Sequence, residues 1–238
     1  MAIEGTGTND QEVEWVDTTF SGITAQTTLI WAKSSSFVAP STSSGRAFLF
    51  TKLNSFNIFH EYASTSALIN ALSFISGFDG TLGRWDSTAN VVTNDTLYHF
   101  AVTYNHVSTT DDPLFYFNGA SITVNESSTP AGAQQDSGAI NLLDVGGFAG
   151  HSNKGPIFSL CYYNRIMAAD EIKSAFDSRL AVPSYNGLIF CPQLWGITGV
   201  QDGNTLSSSN TVVDIVTGNK GTPAVNPVFN ADNVLRIR

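Results

Sequence analysis

The chain has 238 residues, of which 42% are hydrophobic and only 13% are charged, and its formal net charge is −9. With 11 Lys and Arg residues it lacks the basic clusters by which proteins bind nucleic acid or anionic membrane surfaces, so we expect neither as a partner. No apolar run approaches the ~20 residues of a membrane-spanning helix, so we expect no membrane insertion.

The first half of the chain reads as short strands separated by turns rich in Ser and Gly. Residues 23–32 predict a strand with Leu29 and Trp31 on one face, and we expect the large indole of Trp31 to lie in the core. Three further runs predict consecutive strands of a meander, namely residues 45–51, 56–62 and 68–74.

The stretch from residue 97 to residue 172 carries the clearest strand pattern. Alternation with period two places Tyr98, Phe100, Val102 and Tyr104 on one face of its first strand. An apolar face with that spacing needs a second layer over it, so the predicted fold is a two-sheet sandwich. The later elements of this stretch are strands at 114–117, 140–145 and 157–163, followed by a helix that contains residues 170–172.

The same stretch resembles a known family. The run 98–104, the strand ending in Phe117-Asn118-Gly119, and Val145-Gly146-Gly147 are similar to the core of the laminin-G-like and concanavalin A-like lectin-glucanase jelly-roll superfamily. The run from Gly155-Pro156-Ile157 to Asn164-Arg165, closed by Asp170-Glu171-Ile172, resembles the signature that ends such domains. The resemblance implies the fold, an all-β, two-sheet antiparallel jelly-roll sandwich with one short helix. It leaves function open, because function depends on sites that differ within a fold.

The composition shifts after residue 182. We predict a jelly-roll sandwich over 1–182 and a C-terminal β extension over 183–238. The run 213–222 resembles a family turn that normally precedes the sandwich, so the order of elements is rearranged here. The extension completes the same sandwich, forms a small lobe, or pairs with a neighbouring subunit of an oligomer.

The cysteines and the N-terminal residues indicate in which cellular compartment the chain is made. Cys161 and Cys191 are the two cysteines, and we expect buried free thiols, with a disulfide as the alternative. Met1 is followed by neither a basic start nor an apolar segment, so we expect synthesis in a cytosol without a signal peptide.

Catalytic patterns are missing from the sequence. Glycoside hydrolysis needs two carboxyl groups on one face, which a strand supplies at positions i, i+2 and i+4. Glu12, Glu14 and Asp17 come closest, but Asp17 is out of period. The Gly-x-Ser-x-Gly motif of a serine nucleophile is absent too, so we expect a protein that is not an enzyme.

Two tryptophans are candidates for sugar binding, which commonly uses an exposed aromatic ring with polar groups beside it. Residues 82–92 predict a surface loop, in which Trp85 lies between Arg84 and Asp86. Trp195, in the predicted loop 192–210, is the second candidate. The alternative is that both rings anchor loops on the sandwich.

The resemblance also implies calcium, which this family frequently holds on a rim through Asp and carbonyl oxygens. The candidate ligands are Asp79, Asp111, Asp112 and Asp144, and the alternative is that they are solvated turn residues. His99 occupies a position where the family often has histidine, and we expect it to be packed rather than catalytic.

Two functional hypotheses follow. The first is a non-catalytic structural protein on the surface of a virus or phage particle, such as a decoration or fibre protein, with other subunits of a large assembly as partners. Its location is then the virion surface, or an extracellular one after synthesis in a cytosol. The alternative is a lectin-like adhesin module that binds surface glycans.

Overall fold

A computed structural model describes residues 2–5, 13–16, 22–33, 45–61, 67–135, 142–147, 155–179, 183–192, 194, 212–223 and 228–230. Within these ranges the chain is almost entirely antiparallel β-structure with one helix, α1 (Ala169–Ser178), which confirms the predicted fold class. The strands in chain order are β1 (Ala2–Gly5), β2 (Val13–Val16), β3 (Ala25–Lys33), β4 (Arg46–Lys52), β5 (Phe56–Glu61), β6 (Ala71–Ser76), β7 (Gly83–Ser87), β8 (Leu97–Asn105), β9 (Leu114–Phe117), β10 (Ala120–Ile122), β11 (Val124–Ser128), β12 (Leu142–Val145), β13 (Gly155–Tyr163), β14 (Leu188–Phe190), β15 (Val212–Val213), β16 (Lys220–Pro223) and β17 (Val228–Asn230).

The first sheet contains eight of the described strands, in the order β10-β9-β8-β3-β13-β1-β17, with β14 also paired to β13. At its centre β3 and β8 pair along nine residues each, from Ala25 opposite Asn105 to Lys33 opposite Leu97. Long regular pairing of this kind satisfies the backbone polar groups of both strands in the interior.

The second sheet contains nine of the described strands, in the order β11-β7-β6-β5-β4-β12-β2-β16-β15. Strands β4 to β6 form the meander expected from the sequence, and β7, which the sequence did not predict, extends it. Strand β6 begins at Ala71 rather than at residue 68, because residues 67–70 form a turn in which Asn70 has a positive φ of 57°.

The two sheets pack face to face over an aromatic core. Tyr98, Phe100, Val102 and Tyr104 of β8 are all buried in this core, which confirms the predicted inward face. Phe74 of the opposite sheet meets Tyr104 edge to face, with ring centroids 5.4 Å apart. Each fully buried side chain of this size contributes about 1.5–3 kcal/mol relative to an exposed one, so the core is the main source of stability.

Helix α1 covers the outer face of the first sheet. Leu29 and Trp31 of β3 are buried on this face, with Ile172 and Ala175 of the helix in the same apolar layer as Leu29. Phe176 stacks on Trp31 with ring centroids 5.6 Å apart. The expectation that Leu29 and Trp31 share a buried face is therefore confirmed, but the layer that buries them is the helix and not the second sheet.

The helix begins without a capping side chain from residue 168. The carboxylate of Glu171 instead accepts the backbone N–H of Ala168 at 2.9 Å and pairs with Arg165 at 2.7 Å. The hydrogen bond from Arg165 lowers the pKa of Glu171 to about 2. A carboxylate in the first turn also matches the positive end of the helix, so Glu171 supplies one half of a capping box and the N-cap side chain is missing.

Two buried histidines make the fold sensitive to acid. His99 lies beneath the helix with Trp31 and Phe176 at ring distances of 5.0 and 6.0 Å, and desolvation lowers its pKa from 6.5 to about 4. Burial also lowers the pKa of His60 to about 4, although a hydrogen bond with Asn70 opposes the shift. Below pH 6.5 the unfolded chain therefore binds protons that the folded chain does not bind until about pH 4.

We expect the free energy of unfolding to be highest above pH 6.5 and to fall by about 3 kcal/mol per histidine as the pH drops to 4. Urea unfolding of the wild type and of His99→Gln across this range measures the effect. The wild type should lose about 3 kcal/mol more than the variant over the range, because the variant lacks one of the two titrating groups. Equal losses in the two proteins would contradict the burial of a neutral His99.

The C-terminal strands pair with strands from the rest of the chain in both sheets. Strand β14 pairs with β13, and β17 pairs with β1, in the first sheet. Strand β16 pairs with β2 in the second sheet, and with β15. The turn that resembles the family motif contacts β14 directly, because Ile215 donates its N–H to the Cys191 carbonyl at 3.0 Å. The domain boundary after residue 182 stays a prediction.

Candidate functional site

Trp85 is not in a surface loop, and that prediction is wrong. It lies on β7 between β6 and β11, is fully buried, and donates from Nε1 to the Asp112 carboxylate at 2.8 Å. Its ring packs against Phe74 and Tyr104, with centroids 6.0 and 5.0 Å away. The ring therefore has no surface on which a sugar could stack.

The strand alternation that buries Trp85 turns its two neighbours outward. Arg84 and Asp86 lie on the outer face of the second sheet, where Arg84 Nη2 is 3.0 Å from the Asp86 carboxylate. The same guanidinium nitrogen donates to Glu61 of β5 at 2.7 Å, and Arg46 of β4 donates to Glu61 at 3.2 Å. Ser127 also donates to Asp86. Four charged side chains from three strands thus form one network, which we call the charged network.

The charged network is partly removed from water. The side chains of Glu61 and Asp86 are 6% and 0% exposed, whereas those of Arg84 and Arg46 are 21% and 31% exposed. Burial lowers the pKa of Arg84, but its hydrogen bonds to Asp86 and Glu61 and their charges outweigh that, and the net pKa is raised. The guanidinium carbons of Arg46 and Arg84 lie 5.0 and 5.6 Å from the centre of the Phe59 ring. The ring therefore supports both guanidinium groups from below.

A pocket of about 170 Å³ lies beside the charged network. Its walls include Asn57, Ile75, Leu82 and Gln135, and Ile75 is the cross-strand partner of Arg84. Leu82 is 50% exposed, and the Asn57 side-chain oxygen is buried without a hydrogen-bond donor among the described residues. We call this the outer-face pocket, and it combines a small apolar wall with two amides next to a guanidinium group.

The network could not perform glycoside hydrolysis as it stands. Glu61 and Asp86 are two carboxylates on one face, which is the arrangement that such an enzyme needs. Both accept hydrogen bonds from Arg84, however, so either would have to give up this pairing before it could protonate a leaving group.

The predicted calcium ligands do not converge. Asp79 accepts a backbone N–H from the loop across from it at 2.6 Å, Asp111 accepts from the Asn105 amide at 2.7 Å, and Asp112 holds the indole described above. The described residues, Asp144 of β12 among them, contain no group of three His, Cys, Asp or Glu side chains that could hold a metal ion. Asp79, Asp111 and Asp112 therefore serve as structural acceptors.

One exposed aromatic residue was missed by sequence reasoning. Tyr185 is 78% exposed and is the only strongly exposed aromatic in the described part of the chain. Its loop is fixed because Arg165 donates to the Asn186 carbonyl at 2.9 Å and Tyr163 donates to the Ser184 carbonyl at 3.1 Å. The sequence signal is an aromatic residue between proline and Asn-Gly in a short turn. Trp195, the second predicted sugar ligand, lies outside the described residues.

Comparisons with known proteins support the fold. No family model matches the sequence, and no curated protein matches it. The chain is similar in structure to a protein from Bacteroides ovatus provisionally described as carbohydrate binding, with a TM-score of 0.65, 15% identity, and coverage of 100% of this chain and 63% of that one. It is also similar to a sialidase of Trypanosoma rangeli (TM-score 0.51, 13% identity, 75% and 27% coverage). The CBM40 domain of a Ruminococcus gnavus sialidase aligns at a TM-score of 0.48, 15% identity, and 73% and 97% coverage.

At these identities the likeness shows a jelly-roll sandwich of the concanavalin A-like kind and nothing about activity. No family model supports the narrower resemblance to laminin G. The chain spans somewhat under two thirds of the Bacteroides protein. No helix among the described residues has the length and apolar character needed to cross a membrane.

Proposed function

We propose that this chain is a non-catalytic glycan-binding module whose ligand sits in the outer-face pocket against the charged network. The observation that carries the proposal is a pocket whose walls include Asn57, an amide with a side-chain oxygen that no donor among the described residues pairs. The pocket also offers an apolar wall and lies next to Arg84. A buried acceptor without a donor is costly, so a ligand hydroxyl that donates to it gains affinity.

The chemistry of the pocket matches that of a sugar. A pyranose ring presents hydroxyl groups around its edge and C–H groups on its faces. The amides of Asn57 and Gln135 can exchange hydrogen bonds with hydroxyls, and Ile75 and Leu82 can pack against the C–H face. Because the pocket is smaller than the roughly 300 Å³ of typical ligand sites, it suits one residue of a glycan, with the rest lying along the outer face.

The structural neighbours favour this function over the virion hypothesis. The Bacteroides protein is provisionally described as carbohydrate binding, and neither it nor the Trypanosoma sialidase is described as a virion protein. A surface protein of a virus particle, its assembly partners and its location therefore remain predictions without support here. Light scattering of the purified chain is the direct test of assembly.

A glycan array with the wild type and Asn57→Ala tests the proposal. We expect binding to a defined set of glycans, and a roughly tenfold weaker affinity for the variant, because a lost hydrogen bond to a buried amide costs about 1–1.5 kcal/mol. Tyr185→Ala, which removes the exposed ring elsewhere on the surface, is the matched control and should bind as the wild type does.

Three outcomes would change the proposal. If the folded wild type bound no glycan on the array, the glycan-binding function would be rejected. If Tyr185→Ala lost binding and Asn57→Ala did not, the site would lie on the 183–187 loop. Release of a reducing sugar from any bound glycan would show catalysis, and the proposal that the module is non-catalytic would be rejected.

A further inference from the structure

The sulfur atoms of Cys161 and Cys191 lie 3.0 Å apart in the buried layer beneath helix α1. They are not joined by a disulfide in this structure, and neither is exposed to solvent. They come from different elements, since Cys161 belongs to β13 and Cys191 follows β14. The pair plays no part in the proposed glycan site.

The backbone geometry is that of a cross-strand cysteine pair. Tyr162 is paired with Phe190, and continuing this antiparallel register by one residue places Cys161 opposite Cys191. Directly opposed residues of antiparallel strands have Cα atoms about 4.5–5.5 Å apart, within the roughly 4.4–6.8 Å over which disulfides form. The sulfurs need to approach by only about 1 Å to reach the bonded distance.

Both backbones are also held in place. Cys161 is opposite Leu29 in the pairing of β13 with β3. The N–H of Cys191 donates to the Asp214 carboxylate at 2.7 Å, and its carbonyl accepts from Ile215. The two sulfurs are therefore kept together by the fold itself and not by a flexible loop.

We propose that Cys161 and Cys191 are a disulfide site, which is oxidised when the chain folds in the presence of a small-molecule disulfide such as oxidised glutathione. One cysteine thiolate attacks the oxidant and forms a mixed disulfide, releasing one glutathione thiolate. The second cysteine thiolate then displaces the other glutathione. The chain loses two protons and two electrons, and the oxidant is reduced to two thiols.

The reaction belongs to folding and not to the finished protein. The hydrogen bond with Cys161 and burial both raise the pKa of the Cys191 thiol, so Cys191 is a poor nucleophile in the native protein. Once formed, the disulfide joins the first sheet to the segment after residue 183. That segment includes the turn at Asp214, to which the Cys191 N–H is hydrogen-bonded. It would fix the C-terminal strands to the sandwich.

The test is to refold the reduced, denatured full chain in a glutathione redox buffer and, in parallel, in excess reductant. We expect the oxidised sample to contain no thiols that can be alkylated in denaturant, and to yield the tryptic peptides 155–165 and 180–220 as one linked species. Its melting temperature should exceed that of the reduced sample by roughly 5–10 °C.

Cys191→Ala is the control and should keep one thiol and melt at the same temperature in both buffers. If that variant fails to fold, the thiol count and the peptide map of the wild type still show whether the disulfide has formed. Two alkylated cysteines in the wild type refolded with oxidant, or linkage between two chains, would overturn the proposal.

Discussion

Replacing Trp85 with alanine is expected to lower the free energy of unfolding by about 3–5 kcal/mol. The ring is fully buried between Phe74 and Tyr104, so its removal leaves a large cavity in the centre of the core. The substitution also leaves Asp112 without the N–H that it accepts at 2.8 Å. Urea denaturation followed by tyrosine fluorescence or circular dichroism gives the value.

Trp85→Phe is the matched variant, because it keeps most of the apolar volume and loses only the indole N–H. We expect it to cost about 1–2 kcal/mol, in line with one lost hydrogen bond to a charged group and a small change of volume. If the free energy of unfolding of Trp85→Ala were within about 1 kcal/mol of the wild-type value, the burial of this residue would be refuted. The prediction of a surface loop would then be favoured again.

Asp86→Ala is expected to lower the free energy of unfolding by a similar amount, about 3–5 kcal/mol, for an electrostatic reason. Asp86 is fully buried and pairs with Arg84, and it also accepts hydrogen bonds from Ser73 and Ser127. Its removal leaves two hydroxyls without an acceptor and leaves Arg84 paired only with Glu61. The result is an uncompensated charge in a site that is largely shielded from water.

The exposed pair of Lys173 and Asp177 on the helix provides the control. Its charges are 2.6 Å apart, but both side chains are more than half exposed. Asp177→Ala should therefore cost about 0.5 kcal/mol or less. If Asp86→Ala cost no more than Asp177→Ala, the charged network would not be the rigid element that the proposed glycan site requires.

The sandwich could be predicted because alternation in a long strand gives an unambiguous face. Tyr98 to Tyr104 illustrate this, since four apolar residues at period two require a facing layer. The same reasoning could not say which layer would cover Trp31, because both faces of the first sheet are buried and only tertiary packing distinguishes the helix from the second sheet.

Sequence reasoning finds only Arg84 and Asp86 of the charged network, and it finds them through a wrong local structure. It selects them as neighbours of a tryptophan expected to be exposed, whereas they face outward because that tryptophan is buried. Their role in ligand binding stays a prediction. The short strand β7 has two charged residues around one aromatic, which reads as a loop until its pairing with β6 and β11 is known. Glu61 and Arg46 could not be found, since the register that brings them to Arg84 depends on strand pairing.

The pairing of β1 with β17 has a consequence for the order of folding. Ile3 is opposite Phe229, so one ladder joins residues separated by nearly the whole length of the chain. Contacts this distant in sequence are entropically costly to close and slow to form. On a ribosome this part of the first sheet cannot form until residue 230 has emerged, and until then the outer edge of β1 is open to other chains. Overexpression at low temperature, which slows such encounters, should therefore raise the soluble yield.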